Sequence, residues 1–155
     1  MILLMRELVI PDGECNDIDS TVFDLGAFRK LERLSVGSFS LGSILTVRIR
    51  NLKSLESLVF KEESFTRKNG ELHIENCVAL KTLSILQGSF HFFSTLSLKS
   101  LPSLEELRID ADCFTEVEHF TLSSLPISGA CSSERAVSFA KPASCASRTA
   151  SPWRN

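Results

Sequence analysis

The sequence contains no apolar run as long as the roughly 18–20 residues of a membrane-spanning helix, so we expect no transmembrane helix. Residues 1–5 are apolar, but Arg6 and Glu7 end this run far short of a signal-peptide core. The chain has no Asn-x-Ser/Thr site for N-glycosylation, and its five cysteines form no closely spaced pairs. An odd number of cysteines without close pairs argues against a disulfide framework and against a zinc site. Together these absences predict a cytoplasmic protein.

Neither sign of charge dominates, because the 155 residues include 17 basic and 19 acidic ones, for a formal net charge of −2. The apolar fraction of 43% and the charged fraction of 23% are ordinary for a globular chain of one domain. Residues 128–155 differ, because they are rich in Ser and Ala and carry four basic residues against one acidic residue. They also show no apolar periodicity. We therefore predict a folded domain over residues 1–127 and a disordered basic tail over residues 128–155.

An apolar pattern recurs five times along residues 5–127, with starts 24 to 26 residues apart. The pattern LxxLxI starts at Met5, Leu31, Leu55, Leu80 and Leu104. A second pattern, apolar at its first, third and sixth positions, starts at Phe23, Val47, Leu72, Leu96 and Phe120. One further apolar residue lies between the two patterns: Cys15, Leu41, Phe65, Phe90 or Phe114. All 35 positions in these seven columns of equivalent residues are apolar.

Both patterns predict short β-strands, since spacing by two residues places most of the apolar side chains on one face. No segment of ten residues shows the helical period of 3.6, so we expect helices of a turn or two at most. Turn residues lie between the patterns, for example Asn69-Gly70, and Pro102 and Pro126 follow the second pattern. Each repeat is therefore predicted to be one coil of a solenoid, whose apolar side is buried only by stacking on its neighbours.

The LxxLxI repeats resemble the leucine-rich repeat pattern LxxLxLxxNxL over residues 5–127. This resemblance implies a repeat solenoid in the form of a horseshoe arc, here mostly β with parallel strands and little helix. A parallel β-helix is the alternative. One column departs from the family pattern. At the position where the family has asparagine, the five repeats have Gly13, Phe39, Glu63, Gly88 and Asp112. In three repeats a serine follows, and we expect these hydroxyls to satisfy part of the corner backbone in its place: Ser40, Ser64 and Ser89.

The residues that could carry chemistry are dispersed. The three histidines fall in different repeats and columns, and no metalloprotease, Walker or dinucleotide-binding motif is present. The Asp-x-Asp strings at 17–19 and 110–112 lack the further oxygen ligands of a calcium loop. We therefore expect no catalytic residue, no metal and no cofactor.

The cysteines divide by position in the repeat. Cys15 and Cys77 fall in core columns, where a thiol behaves as a small hydrophobe of low reactivity. Cys113 takes the position that serine holds in three other repeats. Cys131 and Cys145 lie in the predicted tail and are expected to be exposed.

A nucleic-acid interface has one feature in its favour, a set of basic residues in the first two repeats: Arg29, Lys30, Arg33, Arg48, Arg50 and Lys53. Four carboxylates are interleaved with them, which predicts ion pairs between coils on a solvated surface: Asp24, Glu32, Glu56 and Glu75. Residues 1–127 also have an excess of acidic residues, which disfavours a phosphate-binding stripe. Nucleic acid is therefore not the expected partner.

The first strand of each repeat is predicted to present small and mixed-charge side chains on one continuous outer face. Solenoids use such regular surfaces to bind other proteins. The residues of this candidate partner-binding face are Arg33, Ser35, Ser57, Val59, Lys61, Thr82, Ser84, Leu86, Glu106 and Arg108. No aromatic residue lies among them, so a contact through this face is expected to be polar and of moderate strength.

The sequence thus favours a noncatalytic protein-interaction module with an unidentified protein partner. The alternative is a structural fragment of a longer repeat array, or the product of a shortened reading frame with no independent function, because the periodicity stops after Pro126. Both end coils are expected to leave apolar side chains and strand edges partly uncovered. End-to-end self-association follows from that expectation.

Overall fold

The computed structural model describes residues 4–126, which form ten β-strands and no helix. The predicted tail over residues 128–155 lies outside the described residues. The strands are β1 (Glu7–Ile10), β2 (Val22–Asp24), β3 (Arg33–Val36), β4 (Thr46–Arg50), β5 (Ser57–Phe60), β6 (Gly70–Glu75), β7 (Thr82–Ile85), β8 (Phe93–Lys99), β9 (Glu106–Ile109) and β10 (His119–Ser123).

The strands belong alternately to two parallel five-stranded sheets, ordered β1-β3-β5-β7-β9 and β2-β4-β6-β8-β10. Each LxxLxI pattern supplies a strand of the first sheet, and each second pattern supplies a strand of the second sheet. Equivalent residues pair across successive coils, so that Leu34 lies opposite Leu58 and Leu58 opposite Leu83. The predicted architecture of stacked two-strand coils is confirmed as a parallel β-solenoid of about five turns.

The apolar columns form one continuous core between the sheets. In the three central coils every column residue is buried. The column residues that are not buried all belong to the first or last coil. Leu8, Phe23, Phe28, Phe120 and Leu125 are partly buried against the core, while Met5 and Cys15 are exposed.

The placement of Cys15 in the core was therefore wrong. Cys15 lies in the first coil of the described residues, where a neighbouring coil covers only one side of the column, and at this position that cover leaves the side chain exposed. Equivalent positions in the next coils hold Leu41 and Phe65, both buried.

A stack of phenylalanines fills the centre of the core. The rings of Phe65, Phe90 and Phe114 are nearly parallel, with centroids 4.7 and 5.4 Å apart. Phe60 and Phe93 approach Phe90 edge-on at 5.0 and 4.9 Å. Both arrangements match the electrostatic preference of aromatic pairs for offset-stacked or T-shaped contact.

The corner after each first-sheet strand depends on left-handed backbone. The column in which the leucine-rich repeat pattern has asparagine shows positive φ in all five coils, from 55° to 75°. The N–H of each of the first four of these residues donates to a carbonyl of the next coil, at 2.7 to 3.1 Å. The left-handed conformation thus directs the corner N–H toward the next coil. The hydrogen bonds between coils therefore continue past the ends of the first-sheet strands.

The buried serines that follow these corner residues satisfy backbone groups, as predicted. The hydroxyl of Ser40 donates to the carbonyl of Pro11 at 2.8 Å, and that of Ser64 donates to the carbonyl of Lys61 at 3.0 Å. Ser89 also donates to the carbonyl of Lys61, and its hydroxyl lies 3.1 Å from that of Ser64. A polar ladder therefore runs through the corner beside the apolar core.

We predict that Leu83→Asp abolishes the cooperative fold. Leu83 is fully buried in a central coil, and an unpaired buried carboxylate costs several kcal/mol against a typical total stability of roughly 5–15 kcal/mol. The matched control is Ser84→Asp, which places the same group on the outer face and should change stability by no more than about 0.5 kcal/mol. Thermal unfolding followed by circular dichroism measures both; an unchanged melt of the Leu83 variant would contradict the inward placement.

Candidate functional site

The outer surface of the first sheet brings together the ten residues of the predicted binding face, which we call the first-sheet face. Strand pairing aligns Arg33, Ser57, Thr82 and Glu106 in one column and Ser35, Val59, Ser84 and Arg108 in the next. Lys61 and Leu86 extend the face beyond the strand ends. Four of the ten residues are exposed, and the other six are half-buried by their neighbours within the sheet: Ser35, Ser57, Val59, Thr82, Ser84 and Leu86.

The charges of the first-sheet face are neutralised at its two ends. At one end Arg33 Nε lies 3.2 Å from Glu7 Oε1. At the other end Arg108 donates two hydrogen bonds to the Asp110 carboxylate at 2.7 and 2.8 Å, and this carboxylate raises the pKa of Arg108. The centre of the face carries small hydroxyl and apolar side chains, with Thr82 donating to Ser57 at 3.2 Å.

One residue beside this face was not identified from the sequence. Phe39 is 64% exposed and has φ of 56°, a left-handed conformation that is costly for a bulky side chain. Phe65, Phe90 and Phe114 also have positive φ, but they are fully buried and gain the free energy of burial. The sequence could have identified Phe39, because this phenylalanine stands at the position where the leucine-rich repeat pattern has asparagine.

The surroundings of Phe39 fix its backbone. Its N–H donates to the carbonyl of Glu62 at 3.0 Å, and its carbonyl accepts from Asn16 Nδ2 at 2.9 Å. The preceding Ser38 donates to the carboxylates of Asp12 and Glu62 through its backbone N–H and its hydroxyl. The pKa of Glu62 is lowered, chiefly by a hydrogen bond from its own backbone and next by the hydrogen bond from the Ser38 hydroxyl.

The residues considered for chemistry remain apart in the structure. His73 Nε2 lies 3.2 Å from Glu71 Oε2, and His91 Nδ1 lies 2.7 Å from the Asp112 carbonyl. Asp17 and Asp19 are exposed. Over residues 4–126, no three His, Cys, Asp or Glu side chains are grouped closely enough to hold a metal ion. The same residues include no helix with the length and apolar character to span a membrane.

The predicted ion pairs between coils are present for three of the four carboxylates. Glu32 lies 2.9 Å from Arg6, Glu56 lies 3.9 Å from Lys81, and Glu75 lies 3.9 Å from Lys99. The fourth, Asp24, accepts a hydrogen bond from the N–H of Gly26 at 2.8 Å instead. The basic residues of these three ion pairs are Arg6, Lys81 and Lys99. None of them belongs to the set of six basic residues noted in the first two repeats.

The described cysteines differ sharply in environment. Cys77 and Cys113 are fully buried, and burial raises both thiol pKa values, that of Cys113 to about 12. Cys113 Sγ donates to the carbonyl of Leu86 at 3.1 Å, which places its thiol in line with the serine ladder. Cys131 and Cys145 lie outside the described residues.

We predict that Cys15 alone among these three thiols reacts quickly in the folded protein. The thiolate is the reactive form, and a pKa of about 12 leaves roughly one Cys113 thiol in 10⁴ ionised at pH 8. The measurement is iodoacetamide labelling with mass spectrometry in a Cys131→Ser/Cys145→Ser background. Denatured protein serves as the control, in which all three should react; fast labelling of Cys113 in the native state would refute its burial.

We predict that Phe39→Asn changes the free energy of unfolding by less than about 1 kcal/mol. Relief of the left-handed strain, roughly 1–2 kcal/mol, offsets the loss of the small part of the ring that is buried. Phe65→Ala at the neighbouring corner position should cost about 3–5 kcal/mol, because it opens a cavity in the phenylalanine stack. Denaturant unfolding compares the two, and similar losses in both variants would show that Phe39 contributes to the core.

Comparison of the chain with protein-family models, with curated proteins and with solved structures finds no match.

Proposed function

We propose that the chain is a noncatalytic protein-interaction module that binds a protein partner through the first-sheet face. The observation that carries the proposal is the continuity of this face over four adjacent strands, β3, β5, β7 and β9, held in strict register. Within residues 4–126, its side chains hydrogen-bond only to residues of the same surface, so no described segment occupies it. A rigid, regular surface loses little conformational entropy on binding, which favours association.

The chemistry of the face supports a protein partner of moderate affinity. Its centre is neutral and offers hydroxyl groups and apolar methyl groups, among them Ser57, Val59 and Ser84. The paired charges at both ends contribute to orientation and to the choice of partner more than to affinity. Phe39 adds an exposed aromatic ring at the corner that follows β3, and aromatic residues are frequent anchors of interfaces.

We also infer that the chain is a β-rich variant of the leucine-rich repeat. The left-handed backbone at the family's asparagine position supports this inference, because asparagine is among the few residues that adopt positive φ readily. Glycine and aspartate at three of the five positions suit the same conformation. The buried serines supply hydrogen bonds that the asparagine side chain gives in the family pattern.

The proposal predicts that Val59→Arg/Ser84→Arg in the full-length protein lowers the recovery of its bound partner roughly tenfold or more. Two long charged side chains in the centre of a flat face prevent close approach. Affinity purification with quantitative mass spectrometry measures this recovery.

The matched control is Thr46→Arg/Thr95→Arg, which adds the same charge to the outer surface of the second sheet and should retain the partner. Thermal melts of both variants verify that each is folded. Loss of the partner from the control alone, or from both variants equally, would rule out the first-sheet face as the binding surface.

A further inference from the structure

Four exposed cations are concentrated at the corner that follows the second-sheet strands of the first two coils. Arg29 and Lys30 lie after β2, and Arg50 and Lys53 lie at and after the end of β4. We call these four residues the basic patch. This corner leads directly into the first-sheet strands, with Lys30 three residues before Arg33 and Lys53 four residues before Ser57, so the patch borders the start of the first-sheet face.

The basic patch is not neutralised within residues 4–126. None of its four residues forms an ion pair there, although Arg6, Arg33, Lys81, Lys99 and Arg108 all do. Glu75 is the residue paired with Arg50 across β4 and β6, but its carboxylate lies beside Lys99. Asp24, the nearest acidic residue of the first coil in sequence, accepts from the N–H of Gly26.

The repeat places like charges of the basic patch on adjacent coils. The pairing of β2 with β4 sets residues 24 positions apart beside each other, and continuing this register gives Arg29 and Lys53 equivalent positions. Such a placement of like charges does not stabilise the fold. Because neither burial nor pairing explains these cations, we look to a ligand for their role.

We propose that the basic patch binds an acidic segment of a partner protein. Carboxylates are the groups that the two guanidinium and two ammonium groups of the patch recognise, Arg29 and Arg50 by paired N–H donors. An acidic polypeptide fits better than nucleic acid for one reason. Phe28, the aromatic residue next to Arg29 in the sequence, packs against the core and offers no ring on which a base could stack.

The experiment uses the full-length protein and a fluorescein-labelled peptide of about twelve residues in which glutamate alternates with glycine. Fluorescence anisotropy at low salt measures its Kd for the wild type and for Arg29→Gln/Lys53→Gln. We expect this variant to bind roughly fivefold more weakly, since two exposed ionic contacts are lost. The matched control is Lys81→Gln/Lys99→Gln, which removes the same charge from residues already paired with carboxylates and should keep the affinity nearly unchanged.

Thermal unfolding separates binding from folding. The Arg29→Gln/Lys53→Gln variant should melt at or above the wild-type temperature, because the charges removed repel each other. Equal loss of affinity in both double variants would overturn the proposal by showing a general charge effect. Tighter, patch-dependent binding of a single-stranded RNA of matched charge would overturn it in favour of nucleic acid. Patch-dependent self-association of the protein alone would overturn it in favour of a second copy.

Discussion

The structure depends on the stacking of equivalent residues in successive coils. No coil encloses its own apolar side chains, so the leucine columns and the Phe65–Phe90–Phe114 stack exist only because parallel pairing sets each coil directly on the next. The same pairing constrains the repeat length. Around the additional residue of the third repeat, Asn69 takes a left-handed conformation just before β6, and the register of β6 against β8 shifts at the first residue of the strand, between Gly70 and Glu71.

The corners impose a conformational cost that the core offsets. Each left-handed residue other than glycine costs roughly 1–2 kcal/mol, and such residues occur in every coil. Where the residue is Phe65 or Phe90, complete burial recovers the cost, and the buried serines keep the corner carbonyls hydrogen-bonded. Phe39, Glu63 and Cys15 have the strain without the burial. Phe39 is the bulkiest of these three, and the fold does not explain its identity.

The sequence predicted the features that depend on periodicity alone. Spacing by two residues identified all ten strands and assigned Leu83 inward and Ser84 outward, because these follow from the pleat and from the need to bury apolar surface. The sign of φ at the corners was not predictable, since neither Phe39 nor Glu63 prefers the left-handed region. Cys15 was misplaced because a column does not reveal whether a residue has neighbours on both sides. The ion pairs of Glu56 and Glu75 depend on rotamers, which spacing does not determine.

Surface residues that stabilise nothing carry the functional information in a repeat protein. Several charges of the described residues pair between coils, among them Arg6 with Glu32, Lys81 with Glu56 and Lys99 with Glu75. The four cations of the basic patch form no such pair within residues 4–126, and the ring of Phe39 is exposed, so contacts within the fold explain neither of them. The face and the patch differ in chemistry, one neutral at its centre and the other cationic. Because the corner that carries the patch leads directly into β3 and β5, a partner that covered both surfaces would combine a cationic contact with a neutral one.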